Sequence, residues 1–361
     1  MFMSKRQFLS AIIGIFVTGS LSFSSCATHL DDRIFEGGDT GRAIFIDALK
    51  KAQGSVWVGA FKLHRNLAPH PEILEALSFL SKEKIPVQVI LESRLSDAEI
   101  KGFKDLPKGT SLQAFQETGS SILSDLKPFT NVHLKIFADE RSAIISTTNY
   151  DDTASDHIKR DFSFMTYDTC LVSELNDILN KIKTQASIDW PSYHLQDILP
   201  EETRLAWGPR LHKLLLEELI ANAHDEIVIY QQSLQDEDIF KALQKKSQEG
   251  VKIRILMSQY PFGKHYPNKS LSNLQELEKS GAQFRLTGDK IVEEGLPLHI
   301  HAKVIIVDPE DSNRCMYLGS ANFYAPVLAP QGDHLNVGII TKSKKHILDI
   351  NSTFEADWKA H

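Results

Sequence analysis

Apolar residues along this chain gather in short runs, and the runs come in the same order twice. GRAIFIDALKKA from Gly41 has helical spacing, SVWVGAFKL from Ser55 reads as a strand, PEILEALSFLSKE from Pro71 as a helix and PVQVILES from Pro86 as a strand. The second half repeats that order with GPRLHKLLLEELIANA from Gly208, EIVIYQQS from Glu226, DEDIFKALQKKSQEG from Asp236 and VKIRILMS from Val251. Continuously apolar strands alternating with helices suit a sheet whose faces are covered by helices. The pattern therefore predicts an α/β protein of two tandem α/β sandwich lobes. Between the copies, the stretch from Ser187 to Trp207 has prolines and no sustained period. It predicts a first lobe over 28–190, a linker over 191–207 and a second lobe over 208–361.

Composition changes this picture little. A chain of 361 residues, 42% hydrophobic and 24% charged, is ordinary for a two-domain globular protein. The net charge of -7 lacks the footprint of a protein that grips nucleic acid non-specifically, although a local basic groove stays open. The N-terminus is distinct: Lys5 and Arg6 precede an apolar stretch from Phe8 to Phe23. That stretch is shorter than the ~20 apolar residues of a membrane span, so residues 1–27 are expected to be a cleaved export signal, with an uncleaved anchor as the alternative. LSFSS before Cys26 is similar to the cleavage box of bacterial lipoproteins, making Cys26 a lipidation candidate; cleavage after Ala27 is the equal alternative. The expected location is the bacterial cell envelope or the exterior. Cys170 and Cys315 do not make a disulfide framework and are expected to be free thiols.

Candidate chemistry follows the same duplication. NVHLKIF sets His133 and Lys135 two apart on a strand, and HIHAKVIIVD does the same for His301 and Lys303, so each pair shares one face. ERSAIISTTNY then supplies Thr147 and Asn149, and NRCMYLGSANF supplies Ser320 and Asn322. Lysine charge, amide and hydroxyl donors and an imidazole able to attack or shuttle a proton together suit a phosphate. Each alone reads as a surface pair or a turn residue; the repetition at matching places carries the inference.

These residues resemble the phospholipase D superfamily, whose signature is H-x-K-x4-D followed by G-S-x-N, present twice per active site. The second copy matches with His301, Lys303, Asp308, Gly319, Ser320 and Asn322. The first departs from it: Glu140 stands at the aspartate position with Asp139 just before it, and Ser146 replaces the glycine. The resemblance implies an active site between pseudo-twofold lobes, with mixed sheets and no metal or other cofactor. His133 would attack phosphorus and His301 protonate the leaving alcohol. Lys135, Lys303, Asn149, Asn322, Thr147 and Ser320 would hold phosphate oxygens, with Asp308 and Glu140 in support. Asp161 and Asp333, each just before a strand run, would orient the histidine rings.

The superfamily places several substrates on one set of residues. Export, an acidic chain and the lipidation candidate favour a phospholipase D-type hydrolase acting on phospholipid at a membrane surface, with transphosphatidylation open. An exported endonuclease is the first alternative, marked by a basic groove leading to the histidines. A phosphate-headgroup binding protein with a decayed first lobe is the second, resting on Glu140. Both half-sites lie in one chain, so a monomer is expected.

Overall fold

In the computed structural model, residues 31–60, 71–91, 120–123, 126, 128–149, 158–208, 210–288, 291–293, 296–329 and 332–361 are described. The expected export signal and Cys26 lie outside them. The first lobe runs β1 (Arg33–Glu36), α1 (Gly38–Lys51), β2 (Val56–Ala60), α2 (Pro71–Lys82), β3 (Val87–Leu91), β4 (Ser121–Leu123), β5 (Asn131–Val132), β6 (Lys135–Ala138), β7 (Ala143–Ser146), β8 (Ile158–Arg160), β9 (Phe162–Thr166) and α3 (Thr169–Thr184). The second runs β10 (Thr203–Gly208), α4 (Arg210–Ala221), β11 (Glu226–Tyr230), α5 (Glu237–Gln248), β12 (Lys252–Ser258), α6 (Leu271–Lys279), β13 (Gln283–Thr287), β14 (Ile291–Glu293), β15 (Leu296–Ile300), β16 (Val304–Val307), β17 (Cys315–Gly319), α7 (Ala325–Leu328), β18 (His334–Thr341) and α8 (Lys344–Ala360).

The main sheets have the orders β1-β9-β7-β6-β2-β3-β4 and β10-β18-β17-β16-β11-β12-β13. They correspond strand for strand. In each, three strands run parallel (β2, β3, β4 and β11, β12, β13) and the remainder is antiparallel. The first strand of each sheet is an edge that the hydropathy pattern did not announce. Residues 203–207, assigned by sequence to the end of the linker, form β10 together with Gly208, paired antiparallel with β18 from Thr203↔Thr341 to Gly208↔Asn336. Their apolar residues Leu205, Ala206 and Trp207 are buried.

Helix ends are chemically specified. Asp168 caps α3 by accepting from the backbone N–H of Cys170 and Leu171, and Asp236 caps α5 through Asp238 and Ile239, satisfying donors that have no partner within the helix. Phe45, Leu49, Leu77 and Leu80 of α1 and α2 cover the outer face of the first sheet, and Leu215, Leu219, Leu243 and Leu274 of α4, α5 and α6 that of the second. The inner faces share one core, in which Ile145, Phe162 and Phe164 join Val228, Leu318, Val337 and Ile339. Ile347, Ile350 and Phe354 of α8 belong to the same core.

Two strand pairings cross between lobes. β5 of the first lobe runs parallel to β18 of the second, with His334↔Asn131 and Leu335↔Val132. β15 of the second lobe runs parallel to β8 of the first, with Leu298↔Ile158, His299↔Lys159 and Ile300↔Arg160. Beside this second clasp, buried Arg160 meets Asp357 of α8 through two hydrogen bonds of 2.8 Å and also contacts Glu36. Such fork-to-fork pairing fixes orientation as well as adding attraction.

Candidate active site

Each histidine stands at the end of a crossing strand and is held by the opposite lobe. The His133 N–H donates to Leu335 O at 2.9 Å, and the His301 N–H donates to Arg160 O at 3.1 Å. These equivalent bonds set the correspondence between lobes residue by residue. Arg160 matches Leu335, and Asp161, the next residue, matches Asn336.

The hydroxyl pattern agrees: Thr147 Oγ1 donates to Asp161 Oδ1 at 2.6 Å, and Ser320 Oγ donates to Asn336 Oδ1 at 3.1 Å. Thr147 and Ser320, expected on the phosphate, are fully buried, and their hydroxyls brace Asp161 and Asn336.

The two rings meet different partners. His301 Nδ1 lies 2.9 and 3.1 Å from the Asp161 carboxylate oxygens, across the lobe boundary. His133 Nδ1 lies 2.7 Å from Ser320 O, which requires that this nitrogen carry the proton and donate. Asp333, expected to orient a histidine, accepts from the Thr130 hydroxyl and lies 3.8 Å from His334 Nε2 with its side chain 44% exposed. The true counterpart of Asp161 is three residues further on and is an amide, Asn336, which in sequence reads as an ordinary strand residue.

Lys135 and Lys303 are buried under the histidines, the Lys135 ammonium donating to His133 O at 3.2 Å and that of Lys303 to His301 O. Burial pulls Lys303 down to about 7, against the opposing Asp161 carboxylate. Burial likewise pushes both imidazoles well below their ordinary value, with Lys135 and Lys303 adding at His133. The Asp161 carboxylate opposes that shift at His301, and the Ser320 carbonyl opposes it at His133. Burial would raise Asp161, but His301 and Lys159 outweigh it and hold the carboxyl far below the usual range.

Asn149 and Asn322 line the cleft, and the buried Oδ1 of each has no hydrogen-bond partner among the described residues. An amide fits either way round, so each can turn its N–H toward a phosphate oxygen. The cleft is about 970 Å³. Its lining includes His133 and His301, the cationic or imidazole side chains Lys159, Lys269, His299 and His334, and Phe262, Tyr266 and Tyr324. Among the described residues lining it, none is a carboxylate. Also among the described residues, no three His, Cys, Asp or Glu side chains converge as a metal site would require.

The motif carboxylates lie away from the cleft. Asp308 Oδ1 accepts from Asp225 N and Glu226 N, and its Oδ2 accepts from His224 N, pinning the turn before β11. In the first lobe Asp139 does this: its Oδ2 accepts from Gln53 N at 2.9 Å before β2, and its Oδ1 from Arg141 N and Ser142 N. Glu140, expected in the catalytic set, is exposed, with its carboxylate beside Gly54. The motif is shifted by one residue and keeps its function of fixing the strand that leads from Lys135. Asp308 and Asp139 are thus positioning residues.

The Ser146 departure also has a packing explanation. A Cβ on Gly319 would come within 2.5 Å of Gly338 Cα and of the Tyr317 hydroxyl. The equivalent pair in the first lobe is Ser146↔Ser163, whose hydroxyls lie 2.7 Å apart beside Ile144 rather than a tyrosine. Glycine is demanded only where Tyr317 fills the space.

Comparison with known proteins agrees with this construction. Residues 45–183 and 216–358 match the family described as cardiolipin synthase, PLD-like domain; the chain belongs to that family and so to the phospholipase D superfamily of phosphodiester-acting enzymes. It is similar to the 5'-3' exonuclease PLD3 of Rattus norvegicus, 31% identical over 125 residues, a segment covering 34% of this chain and 22% of that protein. The chain thus matches about a fifth of that relative's length. Its fold is similar to phosphatidylserine synthase of Haemophilus influenzae, with TM-score 0.67 at 13% identity over 91% of this chain and 86% of that one. Polyphosphate kinase of Porphyromonas gingivalis aligns with TM-score 0.60 at 17% identity over 91% of this chain and 47% of that one.

Proposed function

We propose that this protein is an exported phospholipase D-type hydrolase that removes phospholipid headgroups through a phosphohistidine. The observation carrying the reading is the convergence of His133 and His301, each clasped by the opposite lobe, on one cleft with Asn149 and Asn322. With Nδ1–H given to Ser320 O, His133 keeps a lone pair on Nε2 for attack on phosphorus. His301, paired with Asp161, can hold a second proton on Nε2 and deliver it to the leaving oxygen as the P–O bond breaks. His301 then takes a proton from water while the water oxygen bonds to phosphorus and the P–N bond breaks. An alcohol in place of water gives transphosphatidylation. Lys135, Lys303 and the two asparagines stabilise the non-bridging oxygens.

Lipid is favoured by exposed aromatics at the cleft mouth, Phe262 at 48% and Tyr266 at 62%, in a loop that also carries Lys264. Aromatic and basic side chains together suit a headgroup layer. A nuclease is the second reading, supported by the lining without carboxylates around Lys159 and Lys269. Against the decayed-lobe reading, which rests on Glu140, stand the bonds that Asp139 accepts from Gln53 N and Ser142 N. The test sets phosphatidylcholine, cardiolipin and single-stranded DNA side by side in chelator. Headgroup release lost in both His133→Ala and His301→Ala supports the lipase; DNA cleavage lost in the same way replaces it with the nuclease, and no turnover overturns both.

A further inference from the structure

The clasp between β8 and β15 carries more basic chemistry than one scissile phosphate requires. In this parallel pair Lys159 stands opposite His299, and two residues later Asp161 reaches His301. Alternation along a strand puts Lys159 and Asp161 on one face, and His299 and His301 likewise. Lys159 and His299 both line the cleft. The Lys159 ammonium lies 3.6 Å from Asp161 Oδ2 with its side chain 11% exposed, which keeps its charge at the edge of the site.

Lys135 and Lys303, buried beneath the histidines, are the cations that the proposed reaction assigns to the scissile phosphate. The equivalent clasp of the other side pairs His334 with Asn131, also in the cleft lining, and has no permanent cation. The asymmetry falls on the His301 side.

We propose that Lys159 and His299 form a subsite for a second phosphate group flanking the scissile one. This rests on the phosphodiesterase reading and narrows its substrates to diesters with another phosphate one short linker away. Two strand residues span about 6.6 Å, a separation suited to phosphates on either side of one sugar or one glycerol. Lys159 supplies a point charge and His299 an imidazole N–H, a pairing suited to the terminal oxygens of a phosphate. A polynucleotide and a lipid with two phosphates share this chemistry.

Calorimetric titration of the full chain separates the two sources, using small ligands that are not diesters and so are not turned over. One arm compares thymidine 3',5'-bisphosphate with thymidine 5'-monophosphate, the other glycerol 1,3-bisphosphate with glycerol 3-phosphate. At least one bisphosphate is expected to bind about ten-fold tighter than its monophosphate, and the arm with the larger preference identifies the source. Lys159→Gln and His299→Gln should each shrink that preference to about two-fold or less; His299→Gln does so with the Lys159 contact to Asp161 intact. Equal affinity for one and two phosphates in the unaltered chain overturns the subsite. So does an equal loss of both ligands in the variants, which would mark a structural role. Turnover of bis(p-nitrophenyl) phosphate by the unaltered chain tests the phosphodiesterase reading separately.

Discussion

A carboxylate beside His301 and a carbonyl beside His133 divide the labour between two residues of the same type. Asp161→Asn keeps the shape but removes the charge that favours an imidazolium. By analogy with hydrolase triads, kcat should fall by about 10³ to 10⁴-fold, read from steady-state kinetics with circular dichroism as the check on folding. The reverse change, Asn336→Asp, puts a carboxylate at the equivalent place. It should raise the His133 pKa, so that the acidic limb of the kcat/KM profile moves to higher pH, because a protonated nucleophile cannot attack. Lys303 gives a third test. Its folded pKa of about 7 means that the empty site loses a positive charge as pH rises through 7. Sulfate, whose charge is constant there, should inhibit competitively at pH 6 and progressively less above pH 7, approaching ten-fold weaker binding per pH unit until the complex also loses its proton. An inhibition constant flat from pH 6 to 9 would contradict it.

At the scale of elements, the pair of strands β17 and β18 should respond to side-chain bulk where β7 and β9 do not. Gly319→Ala meets Gly338 and Tyr317 and is expected to cost about 1–3 kcal/mol in urea unfolding by crowding, whereas Ser146→Ala adds no bulk and costs about 1–3 kcal/mol only through the lost hydroxyl contacts with Ser163, Phe162 O and Thr148 N. Strands β6 and β16 were legible in sequence as continuous apolar runs, whereas the HxK segments, read as strand, fall at the breaks between β5 and β6 and between β15 and β16. The edge strands β1 and β10 were not: β1 is four residues of mixed polarity, and β10, between Pro200 and Pro209, looks like linker until a partner strand covers it. Asp139 was legible only as an option, since the choice between it and Glu140 depends on which carboxylate reaches Gln53 N. Asn336 was hidden for a related reason, its place being defined by hydrogen bonds from the other lobe and not by spacing from its own motif.

For the whole molecule, the duplication legible in the sequence fixes two similar sheets but not the exchange of strands that joins them. Arg160 and Asp357 lie 197 positions apart and no local signal pairs them. Asp357→Asn leaves a buried guanidinium short of charge and should cost about 3–5 kcal/mol, while Arg160→Met with Asp357→Leu should recover much of that. Because Arg160 O holds His301 N, the single variant should also lose activity in urea before the far-ultraviolet signal falls. The near-symmetry of the lobes has a further consequence. A cleft whose halves were identical would accept a diester in either of two orientations and could not tell the fragment it keeps from the fragment it releases. One carboxylate without a twin, Asp161, breaks that tie: in the proposed reaction it gives the site a forward end, and the same bond presented backwards is expected to be a poor substrate.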